Sequence, residues 1–168
     1  MPAFTVNPHR KDPYKGFKFR VTWDGRVVPA VSWVSALVRD TVVTDVRDGS
    51  ERSLVRRTPG LTSYEPVTLR RGITFDHSFE DWAEQVWSSD AAVGSEVALR
   101  DFRKDVTIEL LDEAGQLVKR YLVHRAWPST YEALPVLDAS ESSIALETLV
   151  LQHEGWERDK TVAEPAEH

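Results

Sequence analysis

The stretch RRTPGLTSYEPVTLRRGIT, from Arg56 to Thr74, decides how the rest of the chain is read. Two arginine pairs, Arg56–Arg57 and Arg70–Arg71, flank a Pro59–Gly60 turn signal and a strand-like run from Tyr64 to Arg71. Such a pattern suits either a basic clamp for a polyanion or a surface that binds further copies of the same chain.

Composition weighs against the clamp. Twenty-one basic residues stand against 27 acidic ones, a net charge of -6, whereas a nucleic-acid footprint is normally basic overall. At 168 residues and 41% hydrophobic content, the chain is long enough for one domain with a substantial core and too short to expect two. One domain is expected over residues 1–157, with 158–168 as a polar tail that frays. The absence of cysteine excludes disulfides, thiolate metal sites and cysteine nucleophiles. The N-terminal MPAFTVNPHRKDPYKG lacks the apolar core of a signal peptide. The longest nearly apolar run, Ala30 to Val38, falls far below the roughly 20 residues that span a bilayer, so no membrane insertion is expected.

Outward from the opening stretch the period is mostly two. Phe17, Phe19, Val21 and Trp23 alternate with Lys18, Arg20 and Thr22, and Asp24–Gly25 follows as a hairpin turn. A second strand is expected from Val27 into Val38, with Pro29 near its start. Arg39 to Arg57 reads as an exposed hairpin, its β-branched pairs interleaved with Arg39, Asp45, Arg47, Asp48, Glu51, Arg52, Arg56 and Arg57. In Ser78 to Trp87 the period changes. Phe79, Trp82, Ala83, Val86 and Trp87 fall on one helical face, with Ser78 placed to cap and Glu80 and Asp81 in the first turn, where the helix dipole favours acids. Asp105 onward is strand again, turning at Glu113–Gln116 into LVKRYLVHR, and Ser143 to His153 closes the pattern with a strand partly buried on both faces. Many strands around one amphipathic helix predict a mainly β fold, a sandwich or small barrel with a protruding hairpin.

No constellation carries catalysis. Asp76-His77-Ser78 holds the residue types of a hydrolytic triad, but three consecutive side chains do not converge on one another, and strand exit plus helix cap accounts for them. The five histidines show no metal-ligand spacing, and no phosphate-cradling glycine loop is present. No cofactor and no enzymatic activity are expected. Arginines 52, 56, 57, 70 and 71 read by themselves as a solvated or edge-protecting strand surface.

With these blocks in place, RxxPGLTxYxxVTLxRGIT followed by a helix with paired tryptophans resembles the tail tube protein family of contractile-tail bacteriophages and contractile injection systems. Leu110 to Glu132 resembles the family's long hairpin, which ends in Ala126-Trp127-Pro128, and Ser142 to Trp156 resembles its closing strand. DPYKGFKFRVTWDG at the start also fits, so the resemblance runs in order from about Asp12 to Trp156. The chain departs from the family's usual pattern at Ser35-Ala36-Leu37 and at Val46 to Ser50.

The resemblance implies a fold related to the haemolysin-coregulated protein of type VI secretion, and hexameric rings stacked into a hollow inner tube within a contractile sheath. Its implied partners are further copies of itself, the sheath protein, baseplate and cap proteins, and cargo or DNA in the lumen. Assembly is implied in the bacterial cytoplasm, followed by life as part of a phage tail or an injection particle. The hairpin residues Arg39 to Arg57 become candidates for contact with a neighbouring ring. A tube-initiating or baseplate-adaptor subunit and a polyanion-binding module are the other readings.

Overall fold

The computed structural model describes residues 4–47, 49, 55–90 and 102–167. Phe19, Val21 and Trp23 alternate as expected along β1 (Phe19–Trp23), which returns as β2 (Arg26–Val27). The turn between them places both Asp24 (φ 52°) and Gly25 (φ 70°) at positive φ, the requirement of the tight hairpin turn that Asp-Gly favours. The expected strand from Val27 into Val38 is broken. Pro29 supplies no N–H and Ala30 adopts φ 63°, so the chain bends before resuming as the short β3 (Val31–Val34).

The strands that follow are β4 (Arg39–Arg47), β5 (Val55–Tyr64) and β6 (Val67–Gly72). After helix α1 (Ser78–Asp90) come β7 (Lys104–Leu111), β8 (Leu117–Glu132), β9 (Leu146–Gln152) and β10 (Trp156–Arg158). Eight strands form one antiparallel sheet in the order β2-β1-β7-β8-β9-β6-β3, with β10 also paired to β8. The 16-residue β8 belongs to both halves: residues up to Ala126 pair with β7, and Trp127 to Glu132 pair with β9. The bend lies at Arg125 (φ 50°), where Val123 and Ala126 oppose Val106 and Lys104, so three steps on β8 match two on β7.

Folded at this corner, the halves share one core. Val21, Trp23, Val106 and Val123 from one side pack in a single cluster with Val67, Leu69, Leu149 and Leu151 from the other. Each fully buried leucine there contributes about 1.5–3 kcal/mol. Helix α1 covers this core with the face that its spacing predicts. Phe79 and Trp82 are buried, and the Trp82 ring lies 4.8 Å from that of Trp23 with its Nε1 donating to the Phe102 carbonyl at 2.6 Å.

Trp87, expected on the same face, is 77% exposed. At about 100° per residue it stands about 80° round the helix from Phe79, at the edge of the apolar stripe. The cap also differs. The Asp76 carboxylate accepts the Ser78 amide at 3.0 Å at the helix start, and the Ser78 hydroxyl donates to the same carboxylate.

Pro59–Gly60 is not a turn. Both residues lie inside β5, where Thr41 opposes Thr62 but Val43 opposes Pro59, which makes a β-bulge opposite Val42. Glycine is needed there because a Cβ would stand 3.0 Å from the Val42 carbonyl oxygen and from Thr44 Oγ1.

The C-terminal segment, expected to fray, is held. After β10 pairs with β8, Glu164 accepts the amides of Thr5 (2.6 Å), Val6 (3.1 Å) and Asn7 (3.2 Å), and the amide of Glu167 donates to Asn7 Oδ1 at 3.0 Å. Among the described residues no helix is long and apolar enough to cross a membrane.

Candidate assembly surfaces

The hairpin expected between Arg39 and Arg57 is a two-stranded ribbon, β4 with β5, outside the main sheet. Every described residue of β4 is exposed, as is every residue of β5 before Tyr64. At about 3.4 Å per residue, the nine residues of β4 span about 30 Å. The ribbon is anchored at its root, where the Arg39 guanidinium lies 5.7 Å from the Trp156 ring centroid and the Tyr64 ring meets Trp156 edge-on at 6.2 Å. Further out, Asp45 stands opposite Arg57 in the register and forms an exposed ion pair at 3.6 Å. Beyond that pair Val46 opposes Arg56 and Arg47 opposes Val55. Of the candidate residues, the structure therefore joins Asp45 with Arg57, uses Arg39 at the root and places Arg47 and Arg56 at the outer end. Asp48, Glu51 and Arg52 lie outside the described residues.

The two arginine pairs of the opening stretch part company. Arg56 and Arg57 are on the exposed ribbon, and Arg70 packs its guanidinium 4.6 Å from the Trp33 ring on the neighbouring edge strand. Arg71, expected on a solvated surface, is wholly buried. Along β6 the inward positions are Val67, Leu69 and Arg71, so the strand period that buries the two aliphatic side chains buries the arginine too. Opposite it on β9 stands Glu147, inward on the same period, and Arg71 Nε donates to its carboxylate. Arg71 Nη1 reaches Asp76 at 2.6 Å and Ser78 Oγ at 3.0 Å, Nη2 donates to the Asp76 carbonyl at 2.8 Å, and the guanidinium lies 4.1 Å from the Phe79 ring centroid. The Tyr131 hydroxyl donates to Glu147 at 2.9 Å; burial, and then this bond, push Tyr131 up to about 12. Hydrogen bonds from Ser78 and then Arg71 hold Asp76 down at about 2. The network joins the start of α1 to the sheet and is structural.

A second charged row crosses the other half of the sheet. Glu109 on β7, nearly buried, accepts from Arg20 of β1 at 2.5 Å and from Arg120 of β8 at 2.9 Å, and Arg120 also pairs with Asp159 at 3.3 Å. Burial alone would raise Glu109; the two guanidinium groups outweigh it and hold the carboxyl below its usual range.

Helix α1 presents a further surface. Glu80, Ala83, Glu84, Val86 and Trp87 form one wall of an open groove of about 510 Å³ whose other wall is Pro128 to Tyr131 of β8. The sequence did not reveal this groove, because its walls are more than forty residues apart and Glu80 reads there as a complement to the helix dipole. The only signal was the position of Trp87 at the edge of the apolar stripe.

Residues 15–157 match the family model of T4-like virus tail tube protein gp19. Among solved structures, the chain is similar to one in the baseplate of the anti-feeding prophage (AFP), at 18% identity and a TM-score of 0.72, over 89% of this chain and 97% of that one. It is similar also to a chain of the PVC sheath-tube complex of an extracellular contractile injection system, at 24% identity and a TM-score of 0.67, over 88% and 91% of the two chains. A chain described as a type six secretion system protein shares 9% identity at a TM-score of 0.52, over 87% and 88%. At these identities the likeness is one of fold. No curated protein matches the chain. The family match begins before β1 and ends within β10, so it takes in both halves of the sheet, the helix and the exposed ribbon, and the chain belongs to the T4-like virus tail tube protein family as a structural subunit of a tail tube.

Proposed function

We propose that this chain is the repeating subunit of the inner tube of a contractile injection particle, assembled as hexameric rings that stack into a hollow conduit inside a sheath. The observation that carries this reading is the β4–β5 ribbon. A two-stranded ribbon exposed on both faces is marginally stable in water, and this one bares Val42, Val43, Val46, Val55 and Leu61 together with charges of both signs. In a tube protein, such a ribbon is built to be covered by a neighbouring copy. Arg39, Asp45, Arg47, Asp48, Glu51, Arg52, Arg56 and Arg57 are then the residues of, or beside, the contact between rings. A ring that stacks head to tail on an identical ring makes a heterologous interface that does not close, so it propagates as a filament.

The similar chains lie in a sheath-tube complex and a baseplate, which supports sheath and baseplate proteins as partners; cap proteins, and cargo or DNA in the lumen, belong to the same proposal. The subunit works without catalysis, assembles in the bacterial cytoplasm and leaves with the particle. The similarity to a baseplate chain favours one second reading, a tube-initiating or adaptor subunit of the same machine. Sedimentation velocity over a concentration series separates the two. A repeating subunit goes from a species of six chains to a continuous distribution of longer assemblies, whereas an adaptor stops at one ring. Sedimentation as a single chain at every concentration and salt would remove both readings.

A further inference from the structure

The β6–β9 ladder has two unlike ends. At one, Val67 opposes Leu151 just after the ribbon enters through Tyr64 and Glu65, and His153 Nε2 stands 2.8 Å from the Glu65 carbonyl oxygen. At the other, Gly72 opposes Leu146 and the Ile73 amide donates to the Ala145 carbonyl at 3.1 Å, so residues 73–75 leave β6 beside the loop that joins β8 to β9. Five steps of about 3.4 Å along β6 put the two ends about 17 Å apart. The end away from the ribbon bares Ile73, Phe75, Leu134, Val136, Leu137 and Ile144, with Phe75 97% and Val136 95% exposed. Large apolar side chains gathered in this way mark an interaction surface. The loop among them, residues 133–145, contains Asp138 and Glu141 and no lysine, arginine or histidine.

The faces of the ribbon differ as well. Alternation along β4 puts Val42, Thr44 and Val46 on one face, and a Cβ at Gly60 would stand 3.6 Å from Val42 Cβ and 3.0 Å from Thr44 Oγ1 on that same face. Cross-strand partners share a face, which adds Thr58 beside Thr44 and Arg56 beside Val46. The Asp45–Arg57 pair, Arg47 and Val55 lie on the opposite face. Beyond the bulge, Arg56 is therefore the one charge on the Val42–Val46 face among the described residues. We propose that this face docks on the apolar end of the β6–β9 ladder in a second copy of this chain. Val42 and Val46 lie there against Phe75 and the 133–145 loop, and Arg56 lies against Glu141. Glu141 suits this role because it is exposed, whereas the Asp138 carboxylate already accepts from the Ser140 amide at 2.9 Å and hydroxyl at 2.6 Å. A single cation on the face meets a loop whose only charges are acids, so the complement is one of sign as well as of apolar surface. The occupant is another copy because ribbon and patch sit at opposite ends of one ladder and both stay exposed in the single chain. A plug at one end and a socket at the other set copies one after another along the strand direction, the non-closing contact that a stack requires. The inference rests on the tube reading above and adds which face of the ribbon is used and where it lands.

The chain contains no cysteine, so introduced thiols are unique. A Val46→Cys copy mixed with a Val136→Cys copy and treated with a short bismaleimide under assembling conditions should give a linked pair on a denaturing gel that neither variant gives alone. The Arg47→Cys copy, altered on the other face of the ribbon, should link to Val136→Cys severalfold less. Independently, Phe75→Asp with Val136→Asp should leave the melting temperature of the single chain unchanged and cut pelletable tube about tenfold or more, since docking would then bury two carboxylates. Arg56→Glu should also lower the yield, and Glu141→Arg in the same chain should restore it. Tubes at the unmodified yield from the Phe75→Asp, Val136→Asp variant would overturn this socket and leave the tube reading intact. So would tubes in which the Val46–Val136 link is absent or forms no more readily than the one from Arg47→Cys. No tubes from the unmodified chain would take down the tube reading and this socket together.

Discussion

Arg71 and Glu147 stand opposite each other in the β6–β9 ladder and form an ion pair in which the arginine side chain has no solvent exposure. Breaking such a pair from one side leaves a buried charge without its partner. Arg71→Met should therefore destabilise the fold by about 3–5 kcal/mol, read as a lower urea midpoint at unchanged slope. Arg71→Met combined with Glu147→Leu should recover part of the loss, because an apolar pair of similar volume replaces a buried ion pair at little cost. A double variant no more stable than the single would show that Asp76 and Ser78, rather than Glu147, are the partners that matter.

Asp76, held at about 2 by Ser78 and Arg71, lies below its unfolded value of roughly 3.9. A carboxyl depressed in the folded state contributes stability that is complete above the unfolded value and is lost as pH falls through the folded one. Wild-type stability should thus decline between about pH 4 and pH 2, and Asp76→Asn should flatten that limb, the two chains converging near pH 2. Thermal melts at half-unit pH steps make the comparison.

The two tryptophans of α1 should behave oppositely. Trp82→Ala removes a buried ring and its bond to the Phe102 carbonyl, a loss of about 3–5 kcal/mol. Trp87→Ala, at an exposed site, should leave the melting of the single chain within about 0.5 kcal/mol yet reduce tube yield. Melting and sedimentation on the same two variants test this, and equal tube yields from Trp87→Ala and wild type would remove Trp87 from the interface.

The Asp45–Arg57 pair separates assembly from polyanion binding. Asp45→Lys sets two cations opposite each other on the ribbon, which costs it up to about 1 kcal/mol, and Arg57→Asp should repair the register by restoring opposite charges. Tube yield should fall with Asp45→Lys and return with the swap. DNA retention in a gel shift should stay unchanged, whereas a phosphate-binding surface would bind more tightly and with steeper salt dependence after gaining a lysine.

Much of the fold was legible in the chain because local period and turn chemistry agreed. Phe19-Val21-Trp23 with Asp24-Gly25, and the β7–β8 hairpin around Gly115, each carry alternation and a turn residue at positive φ together. The helix was legible from Phe79 and Trp82, and the ribbon from its interleaved charges. Pro59-Gly60 misled because the same dipeptide marks a turn or permits a bulge, and only the approach of Val42 distinguishes them. Arg71 was hidden in a pair of arginines. The alternation from Val67 through Leu69 pointed it inward, but its partner Glu147 lies 76 residues away and is found only by folding. The same limit hid the groove, which needs α1 and β8 side by side.

The central claim, that this chain stacks ring on ring into a tube, is tested most directly by cryo-electron microscopy of the concentrated protein. The account predicts hollow filaments resolved into stacked six-subunit rings, with each β4–β5 ribbon buried against a chain of the adjacent ring. Filaments in which the ribbon remains solvent-exposed, or a field of single chains at every concentration tried, would contradict it.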